Sequence, residues 1–227
     1  MTISTNIALI NERIRVAAET AGRNPVSVRL VAVSKTRPAA DISAAFRAGQ
    51  SVFGENYIQE LVPKLAEVPE DVQWHFIGHL QSNKVKYIAG RVALIHSVDR
   101  ISLAQEIDRQ WGRLRKVCDV LIQVNISGEA TKSGTTDAGA IQLVRECALL
   151  PNISVKGLMT MPPFFDDPDA ARPYFTELRR LAETISALQL DGVEMKELSM
   201  GMSGDFETAI QEGATLVRVG TAIFGSR

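Results

Sequence analysis

The chain has 227 residues, 45% of them hydrophobic and 22% charged, with 25 Lys and Arg set against 26 Asp and Glu. That length and apolar content suit one large domain with a sizeable core. The balanced charge gives no electrostatic case for nucleic acid or an anionic membrane as partner, and no run approaches the roughly 18 apolar residues that a bilayer span requires.

In the N-terminal stretch, Ile3, Ile7, Ile10, Ile14, Ala17 and Ala21 are spaced by fours and threes. This is the period of an amphipathic helix, and it lacks the apolar core of a signal peptide. Glu12 and Glu19 argue against a transit peptide, so a cytoplasmic protein is expected. Short apolar runs then alternate with helical patterns. Strands are predicted at 29–34, 51–54, 73–77, 92–97, 119–126, 155–159, 197–200 and 215–219. Helical patterns fall near 39–48, 56–67, 81–89, 100–115, 136–149, 169–189 and 204–212. The strand runs are mostly continuous rather than alternating, as in parallel strands buried on both sides. Eight strand–helix alternations without a linker predict a single-domain (β/α)8 barrel of the α/β class over residues 1–227, carrying an extra N-terminal helix. An open doubly wound sheet is the alternative. Cys118 and Cys147 lie in apolar surroundings and read as buried thiols, not as a disulfide framework.

In such a barrel, the residues at the C-terminal ends of strands line the functional face. Lys35 ends the run Leu30-Val31-Ala32-Val33-Ser34. If it points inward, the period of two sends Val31 and Val33 inward as well, and the amine stands at the mouth above an apolar layer. Asn56 follows the second strand, as a ligand contact or a helix N-cap. His75 and His79 have i, i+4 spacing, but Gly78 interrupts it and no carboxylate or cysteine completes a metal set, so no metal is expected. His79 and Asn83 read as polar groups of the mouth. Two loops in the C-terminal third share one chemical character. The first runs from Ser199 through Gly201, Ser203 and Gly204 to Asp205. Ser203 is expected at a helix N-cap and Asp205 pointing outward. The second is Arg218-Val219-Gly220-Thr221, in which Arg218 shares parity with Leu216. A phosphate site formed by the loops after the last two strands is a recurring barrel feature. A lysine and an arginine beside such loops suggest pyridoxal phosphate or a sugar phosphate, since both can use a Schiff-base lysine.

At these residues the chain resembles the pyridoxal phosphate homeostasis protein family, whose barrel is similar to the N-terminal domain of alanine racemase. The motifs AVSKTRP, FGENYIQE, WHFIGHLQSNK, VNISGEATKSG, GLMTM, MGMSGDFETAI and RVGTAIFGSR carry the resemblance in order through almost the whole chain. It implies pyridoxal 5'-phosphate held as a Schiff base on Lys35. It also implies phosphate contacts from Ser203, Gly220 and Thr221, with Arg218 near the pyridine nitrogen. Asn56, His79 and Ser199 complete the expected cofactor-binding set, and no residue is assigned a catalytic role. A racemase of this kind has a second domain, for which no residues remain after Arg227. The expected function is therefore a non-catalytic carrier in intracellular cofactor homeostasis, with apo-enzymes as recipients and a monomeric state. The alternatives are a weak amino-acid racemase and a Schiff-base aldolase acting on a sugar phosphate.

Overall fold

The computed structural model describes residues 2–129 and 133–225. The strands are β1 (Arg29–Val33), β2 (Val52–Glu55), β3 (Gln73–Phe76), β4 (Leu94–Val98), β5 (Cys118–Gln123), β6 (Ile153–Met159), β7 (Val193–Ser199) and β8 (Leu216–Val219). They pair in parallel in chain order and close into a barrel between β1 and β8, where Val31 lies opposite Arg218. The open sheet is thereby excluded. The helices are α1 (Ile3–Thr20), α2 (Ala39–Arg47), α3 (Ile58–Glu67), α4 (Ile101–Arg113), α5 (Asp137–Cys147), α6 (Arg172–Ser186), α7 (Phe206–Gln211) and α8 (Thr221–Phe224).

Side-chain alternation sorts the core into two shells. Val31, Val52, Leu94, Leu121, Met159 and Leu216 form a small buried cluster inside the barrel. Their strand neighbours, such as Ala32, Phe53, Ile95, Val120 and Val217, belong to the larger cluster under the helices. The inward parity expected for Val31 and Leu216 is therefore observed, and it aims Arg218 inward too. Thr2 caps α1 by accepting the Thr5 N–H at 3.2 Å. Ile7, Ile10 and Ile14 are its buried stripe. This helix packs against α2, α7 and α8, and Asn6 donates to the Ile223 carbonyl at 2.8 Å. The extra helix thus lies over the seam where the barrel closes.

Three local expectations are corrected. The helical pattern at 81–89 is a 3-10 helix, Ser82–Tyr87. Helix α7 begins at Phe206 with Asp205, not Ser203, at its N-cap. Asp205 does not point outward: its carboxylate folds back to accept the Met202 N–H at 2.6 Å. Cys118 and Cys147 are buried free thiols, as expected.

Candidate functional site at the barrel mouth

Lys35 lies two residues beyond the end of β1 and is half-buried. It lines a small cleft with Val33, Thr36, Gly220 and Thr221. The strand-end amine and the last loop are thus neighbours because β1 and β8 are adjacent in the closed barrel. Gly220 permits the approach, since a Cβ there would come within 3.2 Å of the Val33 carbonyl oxygen.

The backbone around Lys35 is held from both sides. Thr36 adopts φ 63°, a conformation that a β-branched residue rarely takes and that costs about 1–2 kcal/mol. Its N–H donates to Glu60 Oε2 at 2.6 Å. On the other side, Ser34 Oγ donates to Glu55 Oε1 at 2.8 Å. Lys64 Nζ donates to Glu55 Oε1 at 2.6 Å and to the Ser34 carbonyl at 3.0 Å, and approaches Glu60 Oε2 at 3.4 Å. Glu55 and Ser34 share the outer parity of their strands, so this cluster lies between the barrel and α3, behind the mouth. Burial raises the Glu55 carboxyl above the ordinary range despite Lys64 and Ser34.

Asn56 follows β2, and its Oδ1 is buried without a hydrogen-bond partner among the described residues. The N-cap of α3 is Tyr57, so capping does not explain Asn56. The Asn56 backbone lies against Gly78, where a Cβ would come within 2.1 Å of its carbonyl oxygen. His79, the next residue, is exposed, while His75 is buried inside the barrel, so the two histidines diverge. Ser203 is half-buried in the loop between β7 and α7, and Thr221 is exposed at the start of α8.

Arg218 and Ser199 form the inner floor of the mouth, and both are buried. Arg218 donates from Nη1 to Ser199 Oγ at 2.6 Å and from Nη2 to the Thr160 carbonyl at 2.9 Å. Below them, His96 Nδ1 lies 2.8 Å from Ser199 Oγ, and His96 Nε2 lies 2.9 Å from His75 Nδ1. Burial lowers the Arg218 guanidinium to about 10, which leaves it charged at neutral pH. Burial also holds His75 at about 3 and His96 well below its ordinary value, so both imidazoles are neutral. This buried histidine pair escapes a reading of loops and motifs. Its signal is parity, since His96 shares the inner face with Leu94.

These strand-end residues belong to a recognisable lineage. The family model for the N-terminal domain of alanine racemase matches residues 6–227. The pyridoxal phosphate homeostasis protein of Aquifex aeolicus is 45% identical over 228 residues, covering 100% of this chain and 99% of that protein. The chain belongs to the pyridoxal phosphate homeostasis protein family. Among solved structures, a protein of unknown function from Bifidobacterium adolescentis superposes with a TM-score of 0.93 at 39% identity, covering 98% of this chain and 94% of the other. PipY of Synechococcus elongatus with pyridoxal phosphate bound superposes with a TM-score of 0.82 at 37% identity, covering 95% and 100%. The quoted motifs fall at the C-terminal ends of β1, β2, β3, β5, β6, β7 and β8 and in the segments that follow. Ala130, Thr131 and Lys132 of VNISGEATKSG, and Ser226 and Arg227 of the last motif, lie outside the described residues.

Proposed function

We propose that the protein holds pyridoxal 5'-phosphate covalently through the Lys35 amine and serves as its reversible carrier, buffering or delivering it to apo-enzymes. The observation that carries this reading is the shared cleft of Lys35, Gly220 and Thr221 at the C-terminal end of the strands. The pyridoxal phosphate in the PipY structure supports it. The residues present fit such a group. Asn56 Oδ1 is a buried acceptor with no partner among the described residues, and the Gly220 backbone is close-packed without a side chain in the way. The Ser203 and Thr221 hydroxyls and the N–H groups of the two loops suit its phosphate. His79, exposed beyond Gly78, stands at the rim.

The cofactor's aldehyde supplies the reversible bond to an amine, and its ring can act as an electron sink. What this chain sets is the environment of that ring. Arg218, buried and aimed into the mouth by its inner parity, is assigned to the ring nitrogen, with Ser199 fixing its guanidinium. An arginine donates hydrogen bonds but does not give up a proton near neutral pH. A cation in that place disfavours protonation of the ring and weakens it as an electron sink. That favours holding the cofactor over racemising amino acids with it.

The test is borohydride reduction of the cofactor-loaded protein followed by peptide mapping. The pyridoxyl group is expected on Lys35. A label on another lysine would refute the site. Trapping of a sugar phosphate by cofactor-free protein would favour the aldolase reading, and racemisation of alanine at ordinary enzymatic turnover would favour the racemase.

A further inference from the structure

At the opposite end of the barrel from the mouth, the N-terminal ends of the strands enclose a second cleft of about 340 Å3, within the size range of small-molecule sites. Three cations, Arg29, Lys156 and Lys196, and three carboxylates, Asp119, Glu194 and Glu197, border it. Most of these charges satisfy one another. Arg29 donates to Glu197 Oε1 at 2.6 Å, and Thr215 Oγ1 donates to Glu197 Oε2 at 2.7 Å. Glu194 takes Lys156 at 3.0 Å and also pairs with Lys196.

Two groups are left over. Asp119 has Lys156 no nearer than 3.9 Å and no side-chain hydrogen bond among the described residues. The second group is set by the interior chain. Arg218 can only donate, so Ser199 Oγ accepts from it, and among the described residues the acceptor within reach of the Ser199 proton is His96 Nδ1. Neutral His96 then carries its proton on Nε2 and donates to His75 Nδ1. The remaining proton of His75 is therefore on Nε2. This N–H has no partner among the described residues, and His75, only 3% exposed, lines the cleft. The N–H is not sealed in the core but opens onto the cleft, where it is free to meet a ligand.

The cleft thus offers one unmatched donor and one unmatched carboxylate, with Ala93 and Leu94 as an apolar wall beside them. A lone anion would meet three carboxylates, and a lone cation three basic groups. We propose that this cleft is a second binding site, for a small zwitterionic α-amino acid, with its carboxylate on His75 Nε2–H and Arg29 and its ammonium on Asp119. The site is independent of what the mouth holds.

The test uses full-length, cofactor-free Lys35→Ala protein, which cannot form an imine at the mouth, labelled with 15N-histidine and titrated with L-alanine. The His75 Nε2–H signal should shift saturably. N-acetylalanine, which lacks the ammonium, and alaninamide, which lacks the carboxylate, should each bind weaker by about tenfold or more. Asp119→Asn, a change at a half-exposed side chain that should leave the fold intact, should weaken alanine by a similar factor. The proposal is overturned if His75 does not respond to alanine, or if acetate gives the same shift and Asp119→Asn leaves it unchanged. In either case the cleft is a solvated ion-pair cluster only.

Discussion

Replacing Lys64 with Met removes the cation that faces Glu55 while keeping most of the aliphatic stem that packs between α3 and the barrel. In the wild type, Glu55 is fully buried and the Lys64 side chain is 9% exposed, with 2.6 Å between Nζ and Oε1. Glu55 Oε2 has no partner among the described residues, so after the substitution only the Ser34 hydroxyl would remain of the carboxylate's described partners. Removing one partner of such a pair costs about 3–5 kcal/mol. For a chain of this length that corresponds to a fall in Tm of roughly 6–20 °C.

The loss should depend on pH. Burial already raises the Glu55 carboxyl in the folded state, and losing Lys64 removes a contribution that lowers it. A carboxyl with a raised folded pKa binds more protons folded than unfolded. Its stabilising contribution is therefore present below the unfolded value, about 4.3, and is lost as pH rises through the folded one. Because that loss is larger without Lys64, the gap between wild type and variant should be small near pH ~4 and widest toward pH ~8. Urea unfolding at both pH values measures it. Adding Glu55→Gln to Lys64→Met should recover much of the stability at the higher pH. A gap below about 1 kcal/mol, the scale of an exposed pair, would refute the reasoning, as would a gap that ignores pH or a double variant no better than the single one. Since Lys64 also holds the Ser34 carbonyl and neighbours the Glu60 that anchors Thr36, the single variant should also retain cofactor less well.

Lys35→Ala should keep the wild-type circular dichroism and unfolding midpoint within a few degrees while losing covalent cofactor; unfolding without any cofactor present would show that Lys35 is structural. Gly78→Ala should drive a methyl into the Asn56 backbone, 2.1 Å from its carbonyl oxygen, costing about 1–3 kcal/mol and weakening cofactor retention; an unchanged Kd would separate Asn56 from the site. His75 at about 3 and His96, also lowered, stay neutral when folded but take protons near 6.5 when unfolded. Their contribution is present above pH ~6.5 and drains away below it, at about 1.4 kcal/mol per pH unit for each histidine. Urea titrations of His96→Asn between pH ~6.5 and ~5 should show a shallower slope than wild type, and equal slopes would place His96 outside this account.

The strands and the mouth were legible because their signals are local. Apolar runs bounded by Pro38, Gly49 and Gly213 placed β1 and β8 within a residue of where they lie, and parity with Leu216 aimed Arg218 inward. The supports of the mouth were harder to read because they are tertiary. Glu55 and Lys64 meet only once α3 lies over β2. One local trace existed, since Lys64 sits three residues after Leu61 on the buried face that begins at Ile58. Serine favours the N-cap, which points to Ser203. Asp205, which also caps well and lies next to the apolar start of the helix, took it instead. The φ of Thr36 has no local sequence signal, and the Glu60 carboxylate that receives its N–H comes from another element.

The polarity of the interior chain bears on the proposed carrier role. A guanidinium at the inner floor of the mouth must give up most of its hydration, and Arg218 makes good that loss with donations to Ser199 and the Thr160 carbonyl. Both acceptors are neutral. Asp205 acts on it through space, but its carboxylate is committed to the Met202 N–H. The positive charge is therefore compensated only in part, and from a distance, where the cofactor ring is proposed to lie. Because Ser199 has spent its proton on His96, the floor offers the ring fixed N–H donors and no ready acid. A carboxylate in place of Arg218 would reverse that electrostatics and favour carbanion chemistry. The buried histidines hold the hydroxyl in one orientation, so the donor character of the floor is fixed before any ligand arrives.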